Sequence, residues 1–304
     1  MRVADFFCGG GGASEGCRQA GASILAAANH DKLAVDYHQL NHPEAIHFLQ
    51  DLNQMDFNLL PDYDLAWASV PCTTHSSAKG NRHQPNFDES RATAWAVVTA
   101  AEFNKPKAVI VENVVEFQKW ELYPVWISAM EAMGYKATES VLNAQDFGVG
   151  QNRVRLFVSF VRGKTAIPQI VAPGGRIKTA EEIIDWDFPK WTPVHKEGRA
   201  QSTIKKWEAG RARFGDRFML GFYGKDLGRS IQKPVGTLTT RERWAIVRGD
   251  QMRMLSRDEL IEVMGFPKEY ILPKSKTKTA QLLGNAVVPA VAKAVFEHVR
   301  DHIQ

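Results

Sequence analysis

Cysteine is scarce in this chain, and its spacing argues against two kinds of small stabilised protein. The 304 residues contain three cysteines, Cys8, Cys17 and Cys72, an odd number without a C-x-x-C pair. Disulfide frameworks pair their cysteines, and structural zinc sites need closely spaced ligands. We therefore expect no disulfide framework and no metal centre. Each cysteine is either a core residue or a reactive thiol.

Long apolar runs are lacking as well. No uninterrupted stretch reaches the ~18 apolar residues that indicate a membrane-spanning helix. Asp5 and the glycines from Gly9 to Gly12 stand where a signal peptide has its apolar segment. These absences predict a cytoplasmic protein with no membrane partner. With 304 residues, 44% of them hydrophobic, the chain can bury one substantial core and a smaller second lobe.

Positive charge is concentrated in one segment. Residues 196–253 contain fourteen Lys or Arg and six Asp or Glu, a net charge of +8, so the remainder must carry −4 to give the total of +4. A basic segment of this kind indicates a polyanionic partner, although a solvated charged surface has the same composition.

The first part of the chain alternates short apolar runs with amphipathic stretches. The pattern predicts helices over residues 90–103 and 122–133, and strands over residues 3–7, 23–28, 64–69, 108–111, 135–142 and 155–161. Strands that alternate with helices predict an α/β fold, with an open, mostly parallel sheet covered on both faces.

The alternation of apolar runs and amphipathic stretches ends after residue 163. Prolines and three tryptophans punctuate residues 164–227, which predicts a small irregular lobe. A helix over residues 257–264, capped by Ser256, and a long C-terminal helix broken near Pro289 are expected to follow. The predicted division is 1–163 for the α/β domain, 164–253 for the basic lobe, and 254–304 for helices that return to the first domain.

Four glycines follow the first predicted strand. Gly9 to Gly12 would let the backbone approach a cofactor at the carboxyl edge of a parallel sheet, although a tight turn needs the same residues. The dinucleotide pattern G-x-G-x-x-G is absent because Ala13 and Ser14 interrupt it. The pattern therefore argues against a standard NAD site.

Reactive side chains follow two further strands. Pro71-Cys72 comes directly after one predicted strand, and Glu112-Asn113 ends the next. Because the carboxyl ends of parallel strands meet at one edge, a thiol, a carboxyl group and an amide would lie together there. A buried structural cysteine and a solvated loop acid are the alternatives.

Two arginines precede the last predicted strand of the α/β domain. Arg153 and Arg155 are spaced by two, which points both side chains to the same side of an extended chain. Together the two side chains could bind an anion; the alternative is a pair of surface arginines.

Taken in order, these motifs resemble those of the DNA cytosine-5 methyltransferases. The similarity runs from Asp5–Gly12 through Pro71-Cys72, Glu112-Asn113-Val114 and Gln151-x-Arg153-x-Arg155 to Arg229–Thr240 and Gly284–Pro289, about four-fifths of the chain. The resemblance implies a Rossmann-like S-adenosylmethionine-dependent methyltransferase fold. It makes residues 1–163 the catalytic and cofactor-binding domain, and residues 164–253 the target-recognition lobe.

The resemblance also implies a mechanism. Cys72 would attack carbon 6 of a flipped-out cytosine, which activates carbon 5 for methylation. Glu112 would hydrogen-bond N3 and the exocyclic amine, Arg153 and Arg155 would steady the base, and Asn113 would hold the Pro71-Cys72 loop.

Cofactor contacts are implied at several positions. S-adenosyl-L-methionine, which leaves as S-adenosyl-L-homocysteine, is expected to contact Asp5, Phe7, Cys8, Gly9, Gly10, Gly11, Gly12, Asn29, His30, Asp51 and Asn285. Family members usually have glutamate and an aromatic residue where this chain has Asn29 and His30. After Cys72 they usually have glutamine and, before the serine, phenylalanine. This chain has Thr73 and His75 there and retains Ser76.

Double-stranded DNA is the implied partner, and a cognate restriction enzyme is a candidate second one. The chain is expected to act as a monomer. Residues expected to contact DNA are Ser76, Lys205, Lys206, Arg211, Arg213, Arg217 and Arg241. Two other functions stay open: cytosine-5 methylation of transfer RNA, and a nucleic-acid-binding module that has lost catalysis.

Overall fold

The computed structural model describes residues 1–71, 87–223 and 226–303, and of residues 87–92 it describes the backbone alone. Within it the chain forms two compact units. Unit 1 consists of Met1–Asn143, Val154–Pro173 and Ala286–Gln304, and unit 2 of Ala144–Arg153 and Gly174–Asn285. The boundaries drawn from the sequence, at residues 163 and 253, therefore fall inside unit 1 and unit 2 respectively.

The described helices and strands are numbered in chain order. The helices are α1 Gly12–Gln19, α2 Lys32–Asn41, α3 Phe87–Asn104, α4 Tyr123–Ala132, α5 Gln201–Phe214, α6 Arg257–Met264, α7 Lys276–Asn285 and α8 Pro289–Asp301. The strands are β1 Arg2–Phe6, β2 Ser23–Asn29, β3 Ile46–Leu49, β4 Leu65–Ser69, β5 Ala108–Asn113, β6 Tyr135–Asn143, β7 Gln151–Asn152, β8 Val154–Arg162, β9 Thr192–Pro193, β10 Arg217–Gly221, β11 Arg229–Ser230, β12 Val235–Gly236, β13 Trp244–Arg248 and β14 Gln251–Met254.

Unit 1 is built on a seven-stranded sheet in the order β3-β2-β1-β4-β5-β8-β6. Its neighbouring strands are parallel except at β8, which is antiparallel to both β5 and β6. The mostly parallel α/β fold predicted from the sequence is confirmed. Strand β3 is short and was not predicted.

Aromatic side chains fill the core on one side of this sheet. Phe117, Trp126 and Phe160 are almost completely buried, and their rings meet edge to face at centroid distances of 5.2–5.5 Å. The indole N–H of Trp126 donates to the carbonyl of Ala94, so its polar atom is satisfied inside the core. Burying a side chain such as Phe117 stabilises the fold by about 1.5–3 kcal/mol.

A close helix contact covers the glycine end of the sheet. A Cβ atom on Gly16 of α1 would lie 2.5 Å from the carbonyl oxygen of Pro289 and 2.6 Å from Cβ of Ala292 in α8. Only glycine allows α1 and α8 to approach so closely, and this contact places the final helix against the helix that follows the glycine turn.

Unit 2 contains a five-stranded antiparallel sheet in the order β11-β10-β13-β14-β9. Helix α5 packs on it through Trp207, which joins Phe218, Leu220 and Val247 in a separate core. The lobe was expected to be irregular, and that expectation was wrong for α5 and these strands. The sequence did predict α6, which begins with a complete capping box between Ser256 and Glu259.

Stacked tryptophans and arginines attach the segment before β9 to this sheet. The rings of Trp186 and Trp191 are stacked with centroids 6.2 Å apart. Arg217 lies over Trp186 and Arg248 over Trp191, at 4.5 and 4.3 Å from the ring centroids. These cation–π contacts place several cations of the basic stretch against aromatic rings.

The sequence predicted a C-terminal helix over residues 280–303 with a break near Pro289. The structure has this break, because α7 ends at Asn285 and α8 begins at Pro289. Taken together, Lys276–Asp301 is long and apolar enough to cross a membrane, and 67% of its most apolar window is buried inside the protein. Burial of α8 residues such as Val295 and Phe296 accounts for its apolar character.

Candidate active site

A glycine turn connects β1 to α1. Phe7, Gly9 and Gly11 have φ angles of 57°, 51° and 78°, and Gly11 is the N-cap of α1 without a side-chain capping bond. The left-handed region is easy for glycine but costs about 1–2 kcal/mol at a residue such as Phe7. From Gly9 to Gly12 the turn therefore has no side chains of its own where it leads into the amino end of α1.

Two of the cysteines can be assigned at this turn. Cys8 and Cys17 are buried, and burial, followed by the nearby charge of Asp5, raises the pKa of both thiols well above the usual value. Neither is a nucleophile at neutral pH, because the thiolate is the reactive form. Cys72, the predicted nucleophile, and Ser76 lie outside the described residues.

Polar side chains follow β2 and β3 at the same edge of the sheet. Asn29 is buried, and its side-chain oxygen accepts from the backbone N–H of Asp31 at 2.9 Å. His30, beside it, is exposed. Asp51 caps a short 3-10 helix by accepting from the backbone N–H of Asn53 at 2.9 Å.

The strand register brings the predicted catalytic strands together. Ser69 of β4 pairs with Glu112 of β5, so the segment leading to Pro71 runs beside Glu112 and Asn113. Cys72 follows Pro71 directly in the sequence.

Glu112 and Arg155 form an ion pair at this edge. The Nε atom of Arg155 lies 3.2 Å from Oε1 of Glu112, and the side chains are only 17% and 9% exposed. Antiparallel pairing of β5 with β8 positions the pair, because Glu112 lies opposite Phe157 and Asn113 opposite Leu156. The carboxylate therefore has a fixed orientation in a partly desolvated place.

Asn113 is buried next to this pair. Its Oδ1 accepts from the backbone N–H of Val114 at 2.8 Å. Its Nδ2 is buried and has no hydrogen-bond partner in the part of the chain that the structure describes. An amide donor is thus available beside the strand that ends at Asn113.

Arg153 lies in unit 2 and bonds to backbone there. Its two terminal nitrogens donate to the carbonyls of Leu238 and Gly284, each at 3.2 Å. Gln151 also contacts residues of unit 2. Its side-chain oxygen accepts from the backbone N–H of Leu238 at 2.9 Å, and its side-chain nitrogen lies 2.8 Å from the sulfur of Met264. The guanidinium groups of Arg153 and Arg155 therefore have different partners. Asn285, at the end of α7, has an exposed side chain.

The predicted DNA-contacting cations of unit 2 fall into two groups. Arg211 pairs with Asp216 and Asp250, Arg217 pairs with Glu181, and Lys206 donates to the carbonyl of Gly221. Lys205, Arg213 and Arg241 are exposed and form no ion pair within the described residues. The second group has charge to offer a polyanion without breaking an existing pair.

Sequence reasoning missed a buried cluster of three histidines behind the glycine turn. His38 and His42 lie on α2 with ring centroids 4.7 Å apart, and His47 lies on β3. Their spacing gave a signal, because residues four apart share one face of a helix.

Comparison with known proteins agrees with this architecture. The model of a family described as C-5 cytosine-specific DNA methylase matches residues 1–196 and 190–301. Type II methyltransferase M.NlaX of Neisseria lactamica is 25% identical over 99% of this chain and 96% of its own, and Type II methyltransferase M.HhaI of Haemophilus parahaemolyticus is 25% identical over 98% and 94%.

Solved structures show the same fold. The S. pombe Dnmt2 methyltransferase superimposes with a TM-score of 0.72 at 16% identity, covering 99% of this chain and 98% of its own. The Entamoeba histolytica methyltransferase EhMeth does so with a TM-score of 0.72 at 16% identity, covering 100% and 99%. The chain therefore belongs to the C-5 cytosine-specific DNA methylase family, whose activity is that of a DNA (cytosine-5-)-methyltransferase.

Proposed function

We propose that this protein transfers a methyl group from S-adenosylmethionine to carbon 5 of a cytosine flipped out of double-stranded DNA, through a covalent adduct of Cys72 at carbon 6. The observation that carries the proposal is the buried Glu112–Arg155 pair, at 3.2 Å, beside the strand that leads to Pro71-Cys72. Each step below assigns one part of the chemistry to residues of this chain.

The residues at the carboxyl edge of β1, β2 and β3 fit S-adenosylmethionine. The glycine turn, which has no side chains of its own at Gly9 to Gly12, and the amino end of α1 suit the carboxylate of its amino-acid part, and Phe7 would pack on the adenine. Asn29 and His30 would face the ribose, Asp51 would accept from the adenine amine, and Asn285 would bind the amino-acid end. When bound, this cofactor supplies an electrophilic methyl group.

Cys72 supplies the nucleophile. Its thiolate would add to carbon 6 of cytosine, forming a carbon–sulfur bond and shifting electron density to carbon 5. After methyl transfer, a base removes the proton from carbon 5 and the thiolate leaves carbon 6. The target must leave the stack for the thiolate to reach it, which requires base flipping.

Glu112 and Arg155 would act on the ring at the edge that carries N3, which lies opposite carbon 6. The carboxyl group of Glu112 would accept from the exocyclic amine and pass a proton to N3 as the thiolate adds, taking that proton back when the thiolate leaves. Arg155 would keep that side chain oriented through the ion pair at 3.2 Å. Asn113 would help hold the Pro71-Cys72 loop, and Arg153 would keep the segment around Leu238 in place.

Unit 2 would read the target sequence. Lys205, Arg213 and Arg241 are the first candidates for contact with DNA, because their charges are exposed, and Lys206, Arg211 and Arg217 come second. Ser76 is a candidate on the segment after Cys72. We further propose a cytoplasmic monomer, with a cognate restriction enzyme as a partner, since the relatives named above are Type II methyltransferases.

Transfer of a labelled methyl group tests the proposal. The purified protein should label double-stranded DNA that contains cytosine and leave transfer RNA unlabelled, and bisulfite sequencing of plasmid DNA from expressing cells should show one short methylated site. Labelling of transfer RNA alone would make the RNA activity the correct one. Binding of DNA with no transfer to either substrate would indicate a module that has lost catalysis.

A further inference from the structure

Unit 2 contains a groove of about 920 Å³ that none of the functional residues assigned above lines. Its walls come from three stretches of the chain: the segment before β9, the end of β14 with the start of α6, and the segment that leads from α6 into α7. Ligand-binding sites have volumes of about 300–1,000 Å³, so the groove is large enough to hold part of a ligand. We call it the unit 2 groove, and its charged lining residues are Lys190, Arg253, Arg257, Asp258, Lys274 and Lys276.

Ion pairs account for only part of the positive charge in the unit 2 groove. Five of its six charged residues are cations. Three of these cations already have a carboxylate partner, in the pairs Arg253–Glu259, Arg257–Asp258 and Lys276–Glu242. Lys190 and Lys274 are exposed and form no ion pair within the described residues. The groove therefore attracts an anionic ligand, and these two ammonium groups are available to contact it.

The kind of cation that is available indicates the kind of anion. The guanidinium of Arg257 donates to the carbonyls of Leu272 and Pro273, and that of Arg253 is bonded to the carboxylate of Glu259. A free guanidinium would recognise a single anion through two parallel hydrogen bonds. A lysine ammonium is instead a point charge on a flexible stem, which suits phosphates spaced along a polymer. The available charge therefore favours a nucleic-acid backbone over a small anion.

The unit 2 groove adjoins the segment of Arg241, which the proposed function assigns to DNA contact. Lys276 lines the groove and pairs with Glu242, the residue that follows Arg241. Leu255 lines the groove and also a small cavity beside Arg241. A DNA duplex that contacts the exposed Arg241 therefore has the groove next to it in the same unit.

The charges at the start of α7 also agree with a bound anion. Lys274, Lys276 and Lys278 stand at the amino end of this helix, and its first turn contains no acidic residue. The amino end of a helix carries partial positive charge, so these lysines oppose the helix dipole. Phosphates held there would offset this opposition. A sequence that departs from a local rule in this way is expected where the residues serve a function.

We infer that the unit 2 groove binds backbone phosphates of double-stranded DNA through Lys190 and Lys274, beside the bases that unit 2 reads. The inference rests on the proposed function, in which DNA is the substrate, and adds a contact surface to it. Phosphate contacts carry no sequence information. The groove therefore contributes affinity and orientation, and the choice of site is left to other residues.

Acetylation of lysines in the wild-type protein, read by peptide mass spectrometry, tests the groove without a substitution. Bound duplex DNA should slow the modification of Lys190 and Lys274. Lys136 and Lys164 should keep their rates, because they lie where β6 begins and just after β8, at the end of the unit 1 sheet away from Glu112. Equal rates at Lys190 and Lys274 with and without duplex DNA would overturn the inference, and so would protection by transfer RNA alone.

Salt titration of duplex DNA binding measures the number of phosphates that the groove contacts. The double variant Lys190→Ala/Lys274→Ala should lower the slope of log affinity against log salt by about two units, close to one for each phosphate. Lys136→Ala/Lys164→Ala removes the same charge elsewhere and should keep the wild-type slope. An unchanged slope in Lys190→Ala/Lys274→Ala would contradict the inference.

The outcomes separate this inference from the proposed function. A wild type that methylates DNA while its groove lysines stay unprotected would keep the proposed function and overturn the inference. Protection of Lys190 and Lys274 by duplex DNA without methyl transfer would support the groove and count against the proposed function. A wild type that binds no duplex DNA would contradict both.

Discussion

Nε of Arg155 lies 3.2 Å from Oε1 of Glu112, across the antiparallel pair of β5 and β8. The two side chains belong to motifs more than forty residues apart in the sequence, and the sheet register alone brings them together. A partly buried ion pair of this kind fixes the direction of a carboxylate. Glu112 needs a fixed direction because its carboxyl group must contact two atoms of a flat base.

Replacing Arg155 should remove that orientation. We expect Arg155→Ala to lower the single-turnover methylation rate by about a hundredfold, the usual cost of losing one preorganised electrostatic donor. Arg162→Ala is the matched control, because Arg162 is on the same strand and its guanidinium contacts the carbonyls of Lys105 and Met133 and the ring of Tyr135. Equal rates for the two variants would mean that the Glu112–Arg155 pair has no catalytic role.

Replacing Glu112 by glutamine tests proton handling at N3. Glu112→Gln keeps the shape and part of the hydrogen bonding but cannot stabilise the N3–H that forms. We expect the single-turnover rate to fall by about a hundredfold to ten-thousandfold, with DNA affinity changed far less. Glu121→Gln, at an exposed position, should keep the wild-type rate. An unchanged rate in Glu112→Gln would leave Glu112 with only a structural role.

The buried histidine His42 should make the protein sensitive to acid. Its pKa is lowered to about 3 in the folded state, so the unfolded state binds a proton that the folded state does not between about pH 3 and pH 6.5. This contribution to stability is complete above pH 6.5 and is lost as the pH falls.

Urea unfolding at pH 7 and pH 5 measures this effect. We expect the wild type to lose about 2 kcal/mol more than His42→Gln over this range, since each pH unit below 6.5 is worth about 1.4 kcal/mol. His30→Gln, at an exposed histidine, should lose as much as wild type. An equal loss in His42→Gln would show that the acid sensitivity arises elsewhere.

The two groups of cations in unit 2 should differ in their effect on DNA binding. Lys205→Ala, Arg213→Ala or Arg241→Ala should lower the salt dependence of binding by about one unit of slope where the cation meets phosphate. Where it meets a base edge, the methylated sites should relax at one position. Arg217→Ala should mainly reduce stability, because it removes the pair with Glu181 and the contact with Trp186. If the three exposed cations change neither salt slope nor site choice, recognition lies elsewhere, for example on the segment after Cys72.

The sequence predicted those elements whose local pattern matches their environment. Helix α6 was predicted at its observed bounds because Ser256 caps it and Gly265 ends it in a left-handed conformation. Helix α5 was missed because only Thr203, Trp207 and Gly210 are fully buried in it, with Phe214 partly buried, and so few core residues among charged ones give a weak periodic signal. Strand β3 was missed because it has four residues, none fully buried.

Only part of the candidate site could be predicted from the sequence, for a similar reason. Spacing suggested that Arg153 and Arg155 share one side of an extended strand, but Arg153 lies between β7 and β8 and bonds to Leu238 and Gly284. The hydrogen bonds of His38 to Ser14 and His47 depend on contacts between α1, α2 and β3 that no local pattern encodes.

Covalent trapping of Cys72 on DNA tests the central proposal most directly. Duplex DNA containing 5-fluorocytosine should form a stable adduct with the wild type in the presence of S-adenosylmethionine, because the fluorine on carbon 5 cannot leave as a proton does. Peptide mapping should place the modified residue at Cys72. Cys72→Ser should form no adduct and no product while binding S-adenosylmethionine nearly as wild type does. An active wild type that is not trapped, or normal turnover by Cys72→Ser, would contradict the mechanism.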